Sequence, residues 1–403
     1  MAANRRPRPT SDEQELRLWK VGRALAVTFA AAVLVAGGVF YGLVYLLDFQ
    51  EIDTAKKLDA KTLFDLVKLS FGVVAGAGAL VALVVAYRRQ RVDEAGARRE
   101  ATRLHTERFS QAVEQLGSDS PAIQLGGVHA LAGLADDAPT HDLRQTCVDV
   151  LCTYLQLPFT PDPGDEPDHQ EEHHRYLALR KVRHTILRLI GEHYRRPEGT
   201  HRSWQGCDLD LTDVVIDGSV DFSGAVFSGG RVSFSGAAFS GTVDFSGAAF
   251  SGTVDFESAA FSGTVDFESA AFSGTVDFSD AVFSAGLVVF TWATFSDGAV
   301  SFARATFSGG AVDFIGAVFS GARVPFNRAT FSGANVNYSA AAFGYPTGSS
   351  GRVSFIGAVF SGGTVHFDRA TGLVPDGLLR AIGTPTTARV ILPSAWQAAN
   401  PQQ

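Results

Sequence analysis

The sequence is poor in sulfur, with three cysteines and one methionine among 403 residues. Cys147, Cys152 and Cys207 are too few and too scattered for a disulfide framework, so they favour a reducing compartment. Cys147 and Cys152 share one apolar helical pattern, which predicts that they are small buried apolar side chains. A net charge of −8 gives no reason to expect binding to a nucleic-acid phosphate backbone, and no direct nucleic-acid contact is predicted.

Residue patterns that indicate catalysis or metal binding are also scarce. His169, Glu172 and His173 form a His-x-x-Glu-His pattern, which in inverted zinc peptidases holds zinc beside a glutamate base. His174 follows directly, but zinc catalysis also needs a third ligand and a shaped pocket. The pattern begins in an acidic, proline-rich linker (158–168), so a solvated helix start is the favoured interpretation. We therefore predict a protein that is not an enzyme, with no metal, no cofactor and no catalytic residue.

Two long apolar runs lie near the N terminus. Residues 24–47 and 69–87 contain no charged side chain, and each is long enough to cross ~30 Å of hydrocarbon as a helix. The first run is too long for a signal-peptide core and lacks a clear cleavage site. Arginines flank the pair on both outer sides, which predicts that both termini are cytoplasmic. We expect a basic cytoplasmic tail (1–20) and a two-helix transmembrane hairpin with a short external loop (21–90), which places this multi-pass protein in the cell membrane, in contact with the lipid bilayer.

A cytoplasmic helical region is predicted for residues 91–200. Ser120 before Pro121 indicates a helix start, and Thr140 can cap the next helix. These two short amphipathic helices resemble one armadillo- or HEAT-like pair. A longer amphipathic helix contains Tyr176 to Ile190. We expect it to pack on the helical pair or to cover the open N-terminal end of the repeats that follow.

Phenylalanine dominates the rest of the chain. Aromatic residues recur with gaps that alternate between five and six or seven, and a valine or alanine stands two positions before each. Leu211 and Ile216 begin the same spacing without phenylalanine. Serine, glycine, aspartate and threonine fill the other positions, so the rings must point inward. The predicted core residues of the first part are Phe222, Phe227, Phe234, Phe239, Phe245, Phe250, Phe256, Phe261, Phe267, Phe272, Phe278 and Phe283.

A five-residue unit with a small residue two places before a central leucine or phenylalanine resembles the pentapeptide-repeat family. The phenylalanine-rich variant behind two apolar runs is similar to membrane-anchored actinobacterial members. The resemblance implies an α+β multidomain chain whose residues 204–371 form a right-handed quadrilateral β-helix, one pentapeptide per side. One or two residues inserted after every second unit lengthen the expected coil to about 22–24 residues, and the aromatic rungs then give about six coils.

Acidic residues recur at a constant spacing, half the expected coil, among the outward positions of the repeats. Alternate members therefore fall on opposite faces of the coil. These residues are the candidate contact surface for an unidentified cytoplasmic protein: Asp244, Asp255, Asp266, Asp277, Glu257 and Glu268.

The filled interior favours a membrane-anchored, non-catalytic cytoplasmic scaffold, that is, a protein-interaction solenoid. The alternative is acidic DNA mimicry directed at a topoisomerase or another DNA-binding protein, which the family resemblance implies for some members. Residues 372–403 supply enough apolar side chains to cap the last coil. End-to-end pairing into a homodimer is also compatible with the sequence.

Overall fold

The computed structural model describes eight helical positions between 27 and 38 and the ranges 60–284, 286–344, 353–383 and 388–397. The chain divides into two compact units, Met1–Ala101 and Thr102–Gln403. Most of the first predicted span therefore lies outside the described residues. The second, 69–87, lies inside helix α1 (Ala60–Leu116). Within the described part, no helix meets the length and hydropathy that crossing a bilayer requires, so the predicted transmembrane hairpin is not confirmed.

The second unit begins with packed helices: α2 (Pro121–Asp136), α3 (His141–Gln156), a 3-10 turn (Pro167–His169) and α4 (Gln170–Tyr194). The predicted start signals are confirmed. Ser120 is extended ahead of Pro121, and the Thr140 hydroxyl accepts a hydrogen bond from the Leu143 amide at 3.4 Å. Leu131, Leu151 and Ile186 are fully buried in the core of this unit.

The strands form a four-sided parallel solenoid, in which a strand pairs with the strand four places later in the chain, except at the C-terminal end, where Thr364–His366 pairs with Arg389–Ile391. Side A contains β1 (Leu209–Asp210), β5 (Arg231–Ser233), β9 (Thr253–Asp255), β13 (Thr275–Asp277), β17 (Ala299–Ser301), β21 (Val324–Pro325) and β25 (Val353–Ser354). Side B contains β2 (Val215–Ile216), β6 (Ala238–Phe239), β10 (Ala260–Phe261), β14 (Val282–Phe283), β18 (Thr306–Ser308), β22 (Thr330–Ser332) and β26 (Val359–Ser361).

Sides C and D complete each coil. Side C contains β3 (Val220–Asp221), β7 (Val243–Asp244), β11 (Val265–Asp266), β15 (Leu287–Val289), β19 (Ala311–Asp313), β23 (Asn335–Asn337), β27 (Thr364–His366) and β29 (Arg389–Ile391). Side D contains β4 (Val226–Phe227), β8 (Ala249–Phe250), β12 (Ala271–Phe272), β16 (Thr294–Phe295), β20 (Val318–Phe319), β24 (Ala342–Phe343) and β28 (Thr371–Gly372).

Contacts between equivalent positions of consecutive coils give the length of each coil directly. Ser235 and Glu257 are 22 positions apart, and Asp280 and Arg304 are 24 positions apart, as predicted. Ser339 and Asp368 are 29 positions apart, so this coil is longer than the spacing predicts. The solenoid has about seven turns, so the prediction of about six was wrong. The count of aromatic rungs missed the two aliphatic rungs of the first coil, Leu211 and Ile216, and the strand β29 after the last phenylalanine.

The interior consists of stacked rings, each lying over the equivalent ring of the next coil. Phe245 and Phe267 are nearly parallel, with centroids 5.0 Å apart, and Phe256 and Phe278 are 4.7 Å apart. All twelve predicted core phenylalanines are at most 2% exposed. Burial of each ring is worth about 2 kcal/mol, so the ladder is the main source of stability.

Helix α4 covers the N-terminal end of the solenoid, as predicted. The Tyr194 hydroxyl donates to the Cys207 carbonyl at 3.0 Å, and its ring lies 5.3 Å from that of Phe227. The Arg183 guanidinium donates to the Val215 carbonyl at 3.0 Å. At Gly191 a Cβ atom would lie 2.5 Å from the Asp221 carbonyl oxygen, so this close approach requires glycine.

Strand β29 and helices α5 (Leu378–Gly383) and α6 (Ser394–Gln397) cover the C-terminal end. The Trp396 indole donates to the Gly372 carbonyl at 3.1 Å, and its ring lies 5.5 Å from Phe343 and 5.6 Å from Phe367. The described part of residues 372–403 thus packs on the last rings of the ladder.

Candidate interaction surface

The solenoid interior offers no space for a substrate among the described residues, because rings and small aliphatic side chains fill it. A cavity of about 480 Å³ lies instead in the helical region. It is lined by Gln111, Glu114, Gln115, Ser118 and Ile123. Glu114 is the one titratable side chain in this lining, so the cavity holds no acid–base pair. The outer surface of the solenoid is therefore the candidate functional site.

The acidic residues form columns on two opposite sides, as the spacing predicts. On side C, Asp244 pairs in register with Asp266, and on side A, Asp255 pairs with Asp277. The side C column begins one coil earlier at Asp221. Parallel pairing in register therefore places like charges one strand spacing apart, about 4.8 Å.

Each aspartate of these columns also closes a corner of the coil. The carboxylates of Asp244 and Asp255 accept hydrogen bonds at 2.8 Å from the amides two residues later, Ser246 and Glu257. The same 2.8 Å bond recurs at Asp266 and Asp277. This arrangement is an Asx turn, in which the side chain takes over a backbone acceptor role. The aspartates thus have a structural role, a point that the sequence analysis missed.

The glutamates of the candidate surface differ from the aspartates. Glu257 and Glu268 are exposed, and each follows a turn aspartate at the corner of its coil. Within the described residues neither carboxylate closes a turn, so both are available to a partner. Of the six predicted contact residues, the four aspartates close turns, whereas Glu257 and Glu268 are exposed and have no turn role.

The histidine pattern is distributed over a turn and the start of α4. His169 ends the 3-10 turn and is exposed, whereas the His173 ring lies 2.6 Å from the Asp162 carboxylate. That hydrogen bond lowers the pKa of Asp162. His174 is exposed. Across the described ranges, no three His, Cys, Asp or Glu side chains are grouped to hold a metal ion.

An interaction centre that the sequence analysis missed lies where the helices meet the first coil. The Asp136 carboxylate is 3.0 Å from the His193 ring and accepts a hydrogen bond from the Trp204 indole at 3.1 Å. The rings of His193 and Trp204 stack at 4.0 Å. These residues are 57 and 68 positions from Asp136, so no local periodicity could indicate the contact. The cluster joins α2, α4 and the solenoid.

The three cysteines are free and buried, which confirms the burial predicted for Cys147 and Cys152. Burial raises the pKa of Cys147 and Cys152 to about 12 and that of Cys207 to about 11. Thiols in this state are protonated at neutral pH and poorly nucleophilic. Their role in the described structure is to pack the helical core against the first coil.

One corner of the solenoid carries a large exposed aromatic side chain. Trp292 lies between sides C and D and is 61% exposed. The partly exposed Val289 and Ile315 and the exposed Val318 occupy neighbouring positions of the same coil and the next, and we call these four residues the tryptophan edge. Trp292 has a φ of 59°, a left-handed conformation that recurs once per coil at this corner. The residues at that position are Gly224, Gly247, Ser269, Trp292, Gly316, Ala340 and Arg369.

The fold and its outer surface together define a parallel β-solenoid with an aromatic interior. A family model described as pentapeptide repeats (9 copies) matches residues 204–249 and 245–291. This part of the chain therefore matches the pentapeptide-repeat family, as predicted, and the later coils continue its pattern. Comparison with curated proteins gave no match. Comparison with solved structures gave none either.

Proposed function

We propose that this protein is a non-catalytic interaction scaffold, whose solenoid presents a rigid surface to a cytoplasmic protein beside the cell membrane. The observation that carries the proposal is the filled solenoid, with Tyr194 covering the ring stack at one end and Trp396 covering it at the other. A substrate has no interior site in the described coils. The proposed interaction with a partner therefore uses the outer surface of the solenoid.

Membrane anchoring is the second part of the proposal. It is supported by the two uncharged runs, 24–47 and 69–87, and by the arginines on their outer flanks. In α1 the side chains of Leu80 and Leu83 are 57% and 67% exposed, and such apolar exposure on a helix needs a lipid or protein neighbour. Anchoring with both termini in the cytoplasm would hold the solenoid close to the inner surface of the bilayer.

The distribution of charge favours protein binding over DNA mimicry. The acidic columns lie on sides A and C, which face away from each other, and Arg304 forms an ion pair with Asp280 in the following coils. A mimic of duplex DNA needs a continuous acidic surface along the rod. Two separated columns with exposed Glu257 and Glu268 fit recognition of a protein surface better.

Proximity labelling from the C terminus of the full-length protein in living cells tests the scaffold function. We expect a small set of cytoplasmic or membrane-associated proteins to be labelled reproducibly. The charge reversals Glu257→Lys and Glu268→Lys should weaken binding of a partner that uses the acidic columns, with Glu172→Lys in the helical region as a control. Absence of any reproducible partner would sink the scaffold proposal. A C-terminal reporter detected outside the cell would refute the predicted topology.

A further inference from the structure

We propose that the tryptophan edge is a docking site for an arginine-bearing segment of a partner protein. The inference rests on the proposed interaction function and specifies which surface is used. It begins from the composition of the outer positions. On side C the positions equivalent to Val289 in the preceding coils are Asp221, Asp244 and Asp266. A run of carboxylates is thus interrupted by valine at the coil that also carries Trp292.

Its large apolar side chain distinguishes Trp292 from the other residues of its corner, of which Ser269 and Ala340 are exposed as well. The backbone conformation by itself does not, because Ser269 and Ala340 adopt the same left-handed φ without a large side chain. Trp292 is 61% exposed and Val318, on the neighbouring side D, is 38% exposed. Tryptophan is the side chain most enriched at energetically dominant interface positions, because it buries a large area with little loss of conformational entropy.

The Trp292 ring is held in place by the next coil. A Cβ atom at Gly316 would lie 2.6 Å from ring atoms Cε3 and Cζ3, so the six-membered ring rests directly on this glycine. Gly316 is buried as a result. The Trp292 amide also donates to the Ile315 carbonyl at 3.0 Å. The ring therefore has a fixed position before any partner arrives, which lowers the entropic cost of binding.

Carboxylates surround this apolar centre. Val289 pairs in register with Asp266 on one side and with Asp313 on the other, and the Ser269 amide that follows Glu268 donates to the Thr291 carbonyl at 2.8 Å. Neither Asp266, Glu268 nor Asp313 forms an ion pair within the described residues. Partial burial raises the pKa of Asp313, as expected for a carboxyl group that lacks a cationic neighbour.

An indole face beside several carboxylates is matched by a guanidinium group. Arginine stacks on tryptophan through its planar face while its N–H groups donate to carboxylates at the edge. Lysine is a weaker match, because its compact ammonium group neither stacks nor donates in a fork. Ile315 and Val318 would contact aliphatic residues next to the arginine. The chemistry thus specifies a basic segment with aliphatic neighbours.

The test uses full-length protein in detergent micelles and the synthetic peptide acetyl-Leu-Arg-Arg-Leu-amide. A second peptide replaces both arginines with citrulline, which keeps the shape and removes the charge. The fluorescence change is assigned to Trp292 by comparison with the Trp292→Gly variant, because Trp19, Trp204 and Trp396 also fluoresce, and calorimetry gives the affinity of variants without Trp292. We expect the arginine peptide to bind about tenfold more tightly than the citrulline peptide, with an affinity that falls as salt increases.

Variants separate binding from folding. Trp292→Gly introduces the residue that Gly224 and Gly247 supply at equivalent corners, so the melting temperature should change by less than about 3 °C while peptide affinity falls about tenfold. Val318→Ala should weaken binding, whereas Val282→Ala, a valine of matching exposure on the opposite side B, should not. Equal binding of both peptides, or binding unchanged by Trp292→Gly, would overturn the inference. A labelled partner that still binds the Trp292→Gly variant would overturn it too, yet leave the scaffold function intact.

Discussion

Tyr338 interrupts the phenylalanine ladder with a hydroxyl group that has no partner. Its ring stacks between Phe314 at 4.6 Å and Phe367 at 4.8 Å, and it is completely buried. The hydroxyl oxygen forms no hydrogen bond in the described part of the protein. A buried, unsatisfied hydroxyl costs about 1–3 kcal/mol, whereas a phenylalanine of the same shape has no such cost. We therefore predict that Tyr338→Phe stabilises the solenoid by about 1–2 kcal/mol.

The pH dependence of this gain follows from the tyrosine ionisation. Burial raises the pKa of Tyr338 well above its usual value. Below the unfolded-state pKa of about 10, both states keep the proton and the gain is constant. Above it the unfolded chain ionises and the folded protein does not, so the wild type loses stability. The advantage of Tyr338→Phe should therefore widen as the pH rises past about 10.

Thermal unfolding followed by circular dichroism measures the effect. For a unit of this size a gain of about 1–2 kcal/mol corresponds to a rise in melting temperature of about 2–6 °C. The reciprocal change Phe314→Tyr adds a hydroxyl to the adjacent rung of the same ladder and should lower the melting temperature by a similar amount. If Tyr338→Phe is neutral or destabilising, the hydroxyl has a partner and the argument from the orphan group is wrong.

Further predictions concern the thiols, the turn aspartates and the cap. The three cysteines should resist an aromatic disulfide reagent at pH 8 and react fully in urea, because burial raises the pKa of each thiol to about 11 or 12; fast reaction of the native protein would contradict this. Asp255→Ala should lower the free energy of unfolding in urea by about 1 kcal/mol, and Asp255→Asn should lower it less, because asparagine keeps the acceptor oxygen. Glu257→Ala should change the free energy of unfolding by under about 0.5 kcal/mol, and equal losses for Asp255→Ala and Glu257→Ala would refute the turn role. Trp396→Ala should lower the free energy of unfolding by about 3–5 kcal/mol and speed hydrogen exchange of the amides of Phe343 and Phe367. Unchanged exchange rates at these two amides would refute the capping contact.

The sequence predicted the solenoid well because its signal is periodic. Inward phenylalanines such as Phe245 and Phe267 recur at a spacing that only stacked coils satisfy, and the structure pairs them face to face. The number of turns was wrong because the first coil uses Leu211 and Ile216 as rungs and the last side C strand comes after the final phenylalanine. A count based on aromatic residues does not include rungs formed by aliphatic residues.

The candidate surface was predicted less completely, for physical reasons. The regular spacing of the acids placed Asp244 and Asp266 on one side correctly, but it could not distinguish a carboxylate that closes a turn from one that meets solvent. Trp292 occupies an ordinary corner position in the repeat, so its exposure emerged only with the coil geometry. The contact of Asp136 with Trp204 joins distant parts of the chain and has no sequence signature.

The coil lengths have a consequence for how the chain finds its alignment. Residues 254–264 and 265–275 are identical, so a chain displaced here by half a coil or by a whole one would rebuild the same ladder of rings. The interior side chains therefore do not determine which segment of the chain forms which turn. The alignment is determined instead by the increase in coil length from 22 residues at the Ser235–Glu257 contact to 24 residues at the Asp280–Arg304 contact. It is also determined by the two ends of the solenoid, which differ from each other, because each end can pack on only one coil. Removing or duplicating one whole coil within the uniform stretch should therefore yield a shorter or longer rod that folds.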